Sequence, residues 1–169
     1  MRNYISKFKT REKSPKRSSV HFSLYSAIGG AIAIASVALL THFTKSPFLM
    51  APFGATCVLA FGVPNSPLAQ PRNIIGGHMV STLVGFLCFY LFENEWYSLA
   101  IGVGLSIAIM QLTATTHPPA GADPIVVILG AESFSFVLNP VLSGAIVITI
   151  IAVVFNNLHK DRKYPIYWK

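Results

Sequence analysis

Apolar residues gather in long blocks along this chain, and polar residues gather in the gaps between them. Phe22–Phe43, Asn73–Phe92, Tyr97–Thr115 and Val141–Leu158 are the long blocks. A helix of about 20 apolar residues crosses a bilayer core, so each predicts a membrane span. Two further blocks are shorter, Phe48–Val63 and Pro124–Leu138. At a rise of about 1.5 Å per residue they reach roughly two-thirds to four-fifths of a core about 30 Å thick. They read as short tilted spans or as re-entrant half-helices. The predicted fold class is all-α: a polytopic transmembrane helical bundle of four long helices plus two short, broken or re-entrant ones. A polar leader (1–19) precedes the membrane domain (20–159), and a polar tail (160–169) follows it.

Charge sharpens this picture. The chain of 169 residues is 53% hydrophobic and 11% charged, against about 25% charged for soluble domains. Arg2, Lys7, Lys9, Arg11, Lys13, Lys16 and Arg17 crowd the leader against Glu12, and Lys160, Arg162, Lys163 and Lys169 fill the tail against Asp161. Between them lie only Lys45, Arg72, Glu93, Glu95, Asp123 and Glu132. The positive-inside rule places both tails in the cytoplasm, against anionic lipid headgroups rather than nucleic acid. Four or six crossings both satisfy this; six also puts Arg72 inside, and is favoured for that reason. The leader's basic region is long and the apolar run after it long enough to stay in the bilayer, which argues against a cleaved signal. Cys57 and Cys88 sit inside apolar blocks as small buried hydrophobes, with no metal or disulfide spacing.

A weak internal repeat adds to the preference for six. A shift of 67 residues lays Pro52-Phe53-Gly54-Ala55 on Pro119-Ala120-Gly121-Ala122. Gly77 then falls on Gly144 and Thr82 on Thr149. Apolar sequences match often by chance, so only the Pro-x-Gly-Ala pair carries weight. It implies two halves of three helices each, inverted relative to one another as in many secondary transporters. Small residues (Gly29 and Gly30; Gly76, Gly77, Ser81 and Gly85; Gly102 and Gly104) mark faces where helices approach closely in lipid.

Candidate chemistry lies where apolar blocks break. In Thr116-His117-Pro118-Pro119-Ala120-Gly121-Ala122-Asp123-Pro124, three prolines interrupt any helix beside a His and an Asp. Broken backbone at membrane depth needs protein or a watery cavity around it, and an ionisable residue there points to function. A surface loop with His117 and Asp123 merely solvated is the plainer account, but Ala-Gly-Ala is poor in the polar residues such loops favour. Thr115 precedes this break. Pro52-Phe53-Gly54-Ala55-Thr56 reads as a helix start, able to offer N–H groups to an anion or simply to pack closely. Arg72, Asn73 and His78 follow the polar run from Pro64; Arg72 serves either as a cation for an anion or as an interfacial anchor, and His78 either as a site or as a satisfied core residue. Gly54, Thr56, Arg72, Asn73, His78, Thr115, His117, Pro118, Pro119, Gly121 and Asp123 are therefore the candidate binding or pathway residues. Gly-x-Ser-x-Gly, His-Glu-x-x-His and Walker signatures are absent, so neither an enzyme nor a cofactor or metal is expected.

These blocks resemble the HPP family of integral membrane proteins, named for the His-Pro-Pro found here at His117-Pro118-Pro119. Pro52-Phe53-Gly54-Ala55, Ser66 to Asn73, Gly76-Gly77-His78 and His117 to Pro124 match the family's blocks in order, over about Phe22 to Leu158. Some plastid and cyanobacterial members are implicated in nitrite transport, and many bacterial members have no assigned substrate. The resemblance implies a small-anion transporter or channel with nitrite as the leading substrate; a membrane scaffold or assembly protein is the alternative. The leader is short for a plastid transit peptide and no soluble regulatory domain is in evidence, so a bacterial inner-membrane location is expected. The expected partners are the lipid bilayer and a small inorganic anion, with a homo-oligomer as the assembly that would let so small a chain form a pathway.

Overall fold

The computed structural model describes residues 2–168. A short helix α1 (Arg2–Ser6) lies in the leader. The bundle consists of α2 (Val20–Thr44), α3 (Pro52–Cys57) with a π-helical continuation (Val58–Gly62), α4 (Pro71–Phe92), α5 (Trp96–Leu112), α6 (Asp123–Gly130) behind a 3-10 turn (Pro118–Ala122), and α7 (Ser143–Asn157). A 3-10 turn (Phe134–Val137) and a π-type turn (Leu138–Leu142) lead into α7. No strand occurs among the described residues.

Local chemistry sets the boundaries. The Ser19 hydroxyl caps α2 by accepting from the Phe22 N–H, and Lys45 ends it in the left-handed region at φ 58°. Pro52, Pro71 and Pro124 all stand in first turns, where a missing N–H costs nothing. The balance of long and short passes differs from the sequence expectation. Val20–Thr44, Pro71–Phe92 and the run Phe134–Asn157 are long and apolar enough to cross a membrane, at 25, 22 and 24 residues. Tyr97–Thr115, expected as a fourth long span, is the 17-residue α5, which stops at Leu112. Thr113 closes its last turn onto Ile109, and Ala114 turns the chain at φ 54°. The second short pass starts earlier than expected, at Pro118, and stops at Gly130. Asn139, before Pro140, is extended at φ −143° and ψ 114°, so the run from Phe134 is broken there and the last helix is continuous only from Pro140 onward, close to the expected start at Val141.

Contacts between element ends fix the topology. Beyond α7, Arg162 bonds the carbonyls of Phe22, at the start of α2, and Phe61, at the end of the α3 pass. Tyr164 and Ile166 bond Ala69 and Gln70, just before α4. Arg72, at the start of α4, bonds the Thr113 carbonyl at the end of α5. All these ends share one face, the tail face. The chain therefore traverses the bundle six times in alternating directions, and the membrane domain begins and ends on the same face. The halves α2–α4 and α5–α7 run in opposite senses, with α2 against α7 and α4 against α5.

The repeat extends beyond the Pro-x-Gly-Ala pair. A Cβ on Gly77 would meet the Thr115 carbonyl oxygen at 2.9 Å and the His117 Cβ at 2.6 Å, and one on Gly144 would meet the Phe48 carbonyl oxygen at 2.6 Å. The shift of 67 residues that maps Gly77 onto Gly144 also maps Phe48 onto Thr115. Each half thus offers a glycine on its third helix to the non-helical segment of chain that leads into the other half's short pass. Pro124 is wedged in a similar way between Gly85 of α4 and Gly102 of α5. Phe53, Phe61, Ile74, Val127, Val141 and Ile148 fill the core between the halves. Leu24, Ile28 and Ile32 of α2 and Ile146, Ile150 and Val154 of α7 face outward, as lipid-contacting helices require.

The tail is a strap rather than a free basic arm. Arg162 is only 9% exposed. Its guanidinium lies over the Phe22 and Tyr25 rings at 4.2 and 4.7 Å, and also donates to Asn156 Oδ1 and Ser26 Oγ. A planar cation can stack on aromatic faces while its edge donates, which lets Arg162 take this place. Tyr164 is buried and pairs with the Asn157 side chain through its backbone, while its hydroxyl donates to the Ala69 carbonyl at 2.7 Å. Tyr167 reaches the Pro67 carbonyl and Asn73 Oδ1.

Three stability outcomes follow from these contacts. Gly77→Ala and Gly144→Ala each lower stability by about 1–3 kcal/mol through overpacking against backbone. Gly54→Ala, where an added Cβ meets nothing within 4 Å, is neutral or slightly stabilising. Tyr164→Phe leaves a buried carbonyl unpaired and costs about 1–3 kcal/mol. Thermal unfolding of the purified protein in one detergent ranks all four.

Candidate functional site

Thr56 is the meeting point of the two broken passes. It lies on α3, fully buried, facing His78 on α4 and His117 in the extended chain before Pro118. Its Oγ1 is 2.9 Å from His78 Nε2 and 3.0 Å from His117 Nε2. His78 Nδ1 is 2.7 Å from Asp123 Oδ2, and His117 Nδ1 is 2.8 Å from the Leu68 carbonyl oxygen. Thr56, His78, His117 and Asp123 are each 0% exposed. Phe53 meets the His78 ring edge-on at 5.2 Å between centroids, and the two imidazoles are 5.1 Å apart.

Sequence accounts for this placement. His117 is extended at φ −137° because Pro118 disfavours a helical predecessor. Gly77 lacks the side chain that would block His117 from α4. Ser81, one turn on from His78, donates to the Ala120 carbonyl at 2.5 Å and pins the Pro118–Ala122 turn on α4. Asp123 enters the first turn of α6, where helix N-termini favour a carboxylate.

Donor and acceptor roles follow from the groups that have no choice. A carbonyl oxygen only accepts, so His117 Nδ1 carries a proton and donates to Leu68. In the uncharged ring Nε2 then accepts from the Thr56 hydroxyl. Thr56 has one proton to give, so His78 Nε2–H donates to its oxygen. His78 Nδ1 and Asp123 Oδ2 share the next proton, as imidazolium with carboxylate or as imidazole with carboxylic acid. Either way the four side chains together carry no net charge. Thr82 adds a longer contact to Asp123 Oδ2, at 3.4 Å, while Asp123 Oδ1 is buried with no hydrogen-bond partner.

Other candidates from the sequence lie around this cluster. Asn73 is buried and ties the Thr116 carbonyl to Tyr167. Thr115 packs on Gly76 and bonds Thr113. Pro118 and Pro119 form the 3-10 turn that aims His117. Arg72 is exposed on the tail face, away from the histidines. Gly54 lines an apolar groove against α2, and its N–H bonds the Ala51 carbonyl; Gly121 is half-buried at the turn. Among the described residues no group of three or more His, Cys, Asp or Glu side chains is arranged to hold a metal. Sequence reasoning took Ser81 only as a packing residue and Thr82 only as a position in the repeat, although their spacing of three and four from His78 puts them on its helix face. It also missed Leu68, whose part is played by its backbone.

The family model for the HPP transmembrane region matches residues 15–165. A transmembrane protein of Dictyostelium discoideum is 37% identical over 177 residues, covering 98% of this chain and 57% of that protein. A second transmembrane protein of the same organism is 43% identical over 128 residues, covering 71% of this chain and 45% of that protein. The chain spans about half the length of these curated relatives. No solved structure matches it. With its blocks in order and the model aligned across the whole bundle, the chain is an integral membrane protein of the HPP family.

Proposed function

We propose that the protein is a transporter of a small inorganic anion, with nitrite as the leading substrate. The observation that carries this reading is the Thr56 hydroxyl bridging two imidazoles where the short passes of two inverted halves meet. Repeat-built transporters hold their substrates at such a junction of interrupted helices. Ionisable side chains cost several kcal/mol inside a membrane, so a bundle that only scaffolds partners gains nothing from three of them. The cluster is sealed, as expected of an occluded state between two openings.

The surfaces fit the same reading. Arg72, Lys160 and Lys163 are exposed on the tail face, whereas Glu93 and Glu95 are exposed at the opposite end of α4. Positive potential at one mouth concentrates anions there. By the positive-inside rule the tail face is cytoplasmic, and a bacterial inner membrane remains the proposed location.

Asp123, His78 and Thr56 also form an acid–imidazole–hydroxyl series, which would suit a hydrolase. Against that role, Thr56 Oγ1 has both imidazoles and the Pro52 carbonyl around it, leaving no room for a substrate carbonyl. A non-enzymatic role is therefore proposed.

Flux of nitrite, chloride and formate into liposomes holding the purified protein tests the reading. Nitrite uptake is expected above that of empty vesicles. His117→Ala lowers it at least about tenfold, in line with loss of a working acid–base group, while the amount of folded protein stays the same. Unchanged flux per folded molecule would remove His117 from the pathway. Reporter fusions at both ends should be active only as cytoplasmic reporters, and a periplasm-active fusion at either end overturns the orientation.

A further inference from the structure

The hydrogen-bonded series Leu68–His117–Thr56–His78–Asp123 has a property that a purely structural network does not need. It can be completed in two ways that differ by one proton. In the uncharged arrangement the Thr56 hydroxyl donates to His117 Nε2. A proton added at that nitrogen makes His117 an imidazolium donating at both ends. The Thr56 hydroxyl then needs another acceptor, and the Pro52 carbonyl oxygen lies 3.3 Å from it. Rotation of one O–H bond completes the second arrangement, with both imidazoles donating to Thr56. Every polar contact of the first state keeps a partner in the second.

Removal of a proton has no such outlet. Taken from His78 Nδ1, it sets a lone pair against a carboxylate oxygen 2.7 Å away; taken from His78 Nε2, it leaves two imidazole lone pairs facing Thr56, whose hydroxyl has one proton for both. The series thus has a neutral state and a state of charge +1. The titratable groups that face it are His78 from α4, His117 from the segment before Pro118, and Asp123 from α6. Cys57, next to Thr56 on α3, lines the groove against α2 instead. Asp123 Oδ1, buried without a partner, leaves an acceptor open at the far end of the series.

We propose that this series binds one proton for each anion carried, so that the protein moves a monovalent anion and a proton together without net charge. This rests on the anion-transport reading. A monovalent anion beside the +1 state restores neutrality in a medium where an isolated charge is strongly disfavoured. The unprotonated series offers an anion no such compensation. Binding forms one N–H bond at His117 Nε2, and release breaks it; no oxidant, reductant or other co-reactant is needed. Thr56 is the positioning residue, since its hydroxyl alone changes partner between the two states.

The full chain in liposomes decides this, with nitrite as probe and empty vesicles subtracted for permeation by the free acid. An inward proton gradient should drive nitrite uptake, external pH should rise with about one proton taken up per nitrite, and a potassium–valinomycin potential should leave the rate unchanged. A bare monovalent anion would respond strongly, with up to about fifty-fold accumulation per 100 mV. Nitrite uptake that follows the potential without proton movement overturns the coupling and leaves anion transport standing. Absence of flux for nitrite, chloride and formate alike overturns both. Thr56→Val should abolish gradient-driven uptake, and Thr56→Ser, which keeps the hydroxyl, should restore it. Equal coupling in both variants removes Thr56 from the role. If Thr56→Val does not fold, the proton-to-nitrite ratio of the unaltered chain still decides.

Discussion

A threonine hydroxyl between two imidazoles constrains everything around it. In lipid, polar side chains must find partners within the protein, and Thr56, His78, His117 and Asp123 find them in each other, in a few carbonyls and in the Thr82 hydroxyl. The elements that carry them cannot all be regular helices across the bundle. His117 reaches Thr56 only because the chain before Pro118 is extended, and α6 begins late enough to set Asp123 against His78. The prolines that look like defects in a membrane span are the means by which four side chains from three passes converge.

The same demand explains the arrangement at the tail face. The 3-10 turn Pro67–Ala69 presents the Leu68 carbonyl to His117, and the strap holds that turn from below through Tyr164, Ile166 and Tyr167. Asn73 joins the strap to the Thr116 carbonyl. The floor of the cluster is therefore backbone, tied down by residues that read as a hydrophilic appendage.

Much of this was legible in the sequence for identifiable reasons. Blocks of apolar residues locate helices because lipid tolerates little else. His78, His117, Asp123 and Thr56 stood out because ionisable or polar groups beside broken backbone are costly in a membrane. Their pairing was not legible, since it depends on the packing of α4 against two segments that enter from opposite faces. Arg72 looked equivalent to the histidines by charge alone, yet it stays at the surface because the long guanidinium stem reaches the end of α5. The premature end of α5 escaped notice because Thr113 and Ala114 are unremarkable as residue types and act through backbone geometry. Gly77 and Gly144 were discounted as a chance match; only the shared collision with Thr115 and Phe48 reveals them as equivalent.

The crossed glycine contacts have a consequence for how the protein is made. Each half lends its third helix to the other's short pass, so neither half holds a complete interior. His78 emerges from the ribosome 45 residues ahead of the aspartate that pairs with it. At about 5–20 residues per second that is a delay of roughly 2–9 s. During that interval α2–α4 sits in the bilayer with a histidine and a threonine awaiting partners not yet translated. Insertion and folding are thus separate events for this chain, and the second cannot finish until the strap has left the ribosome.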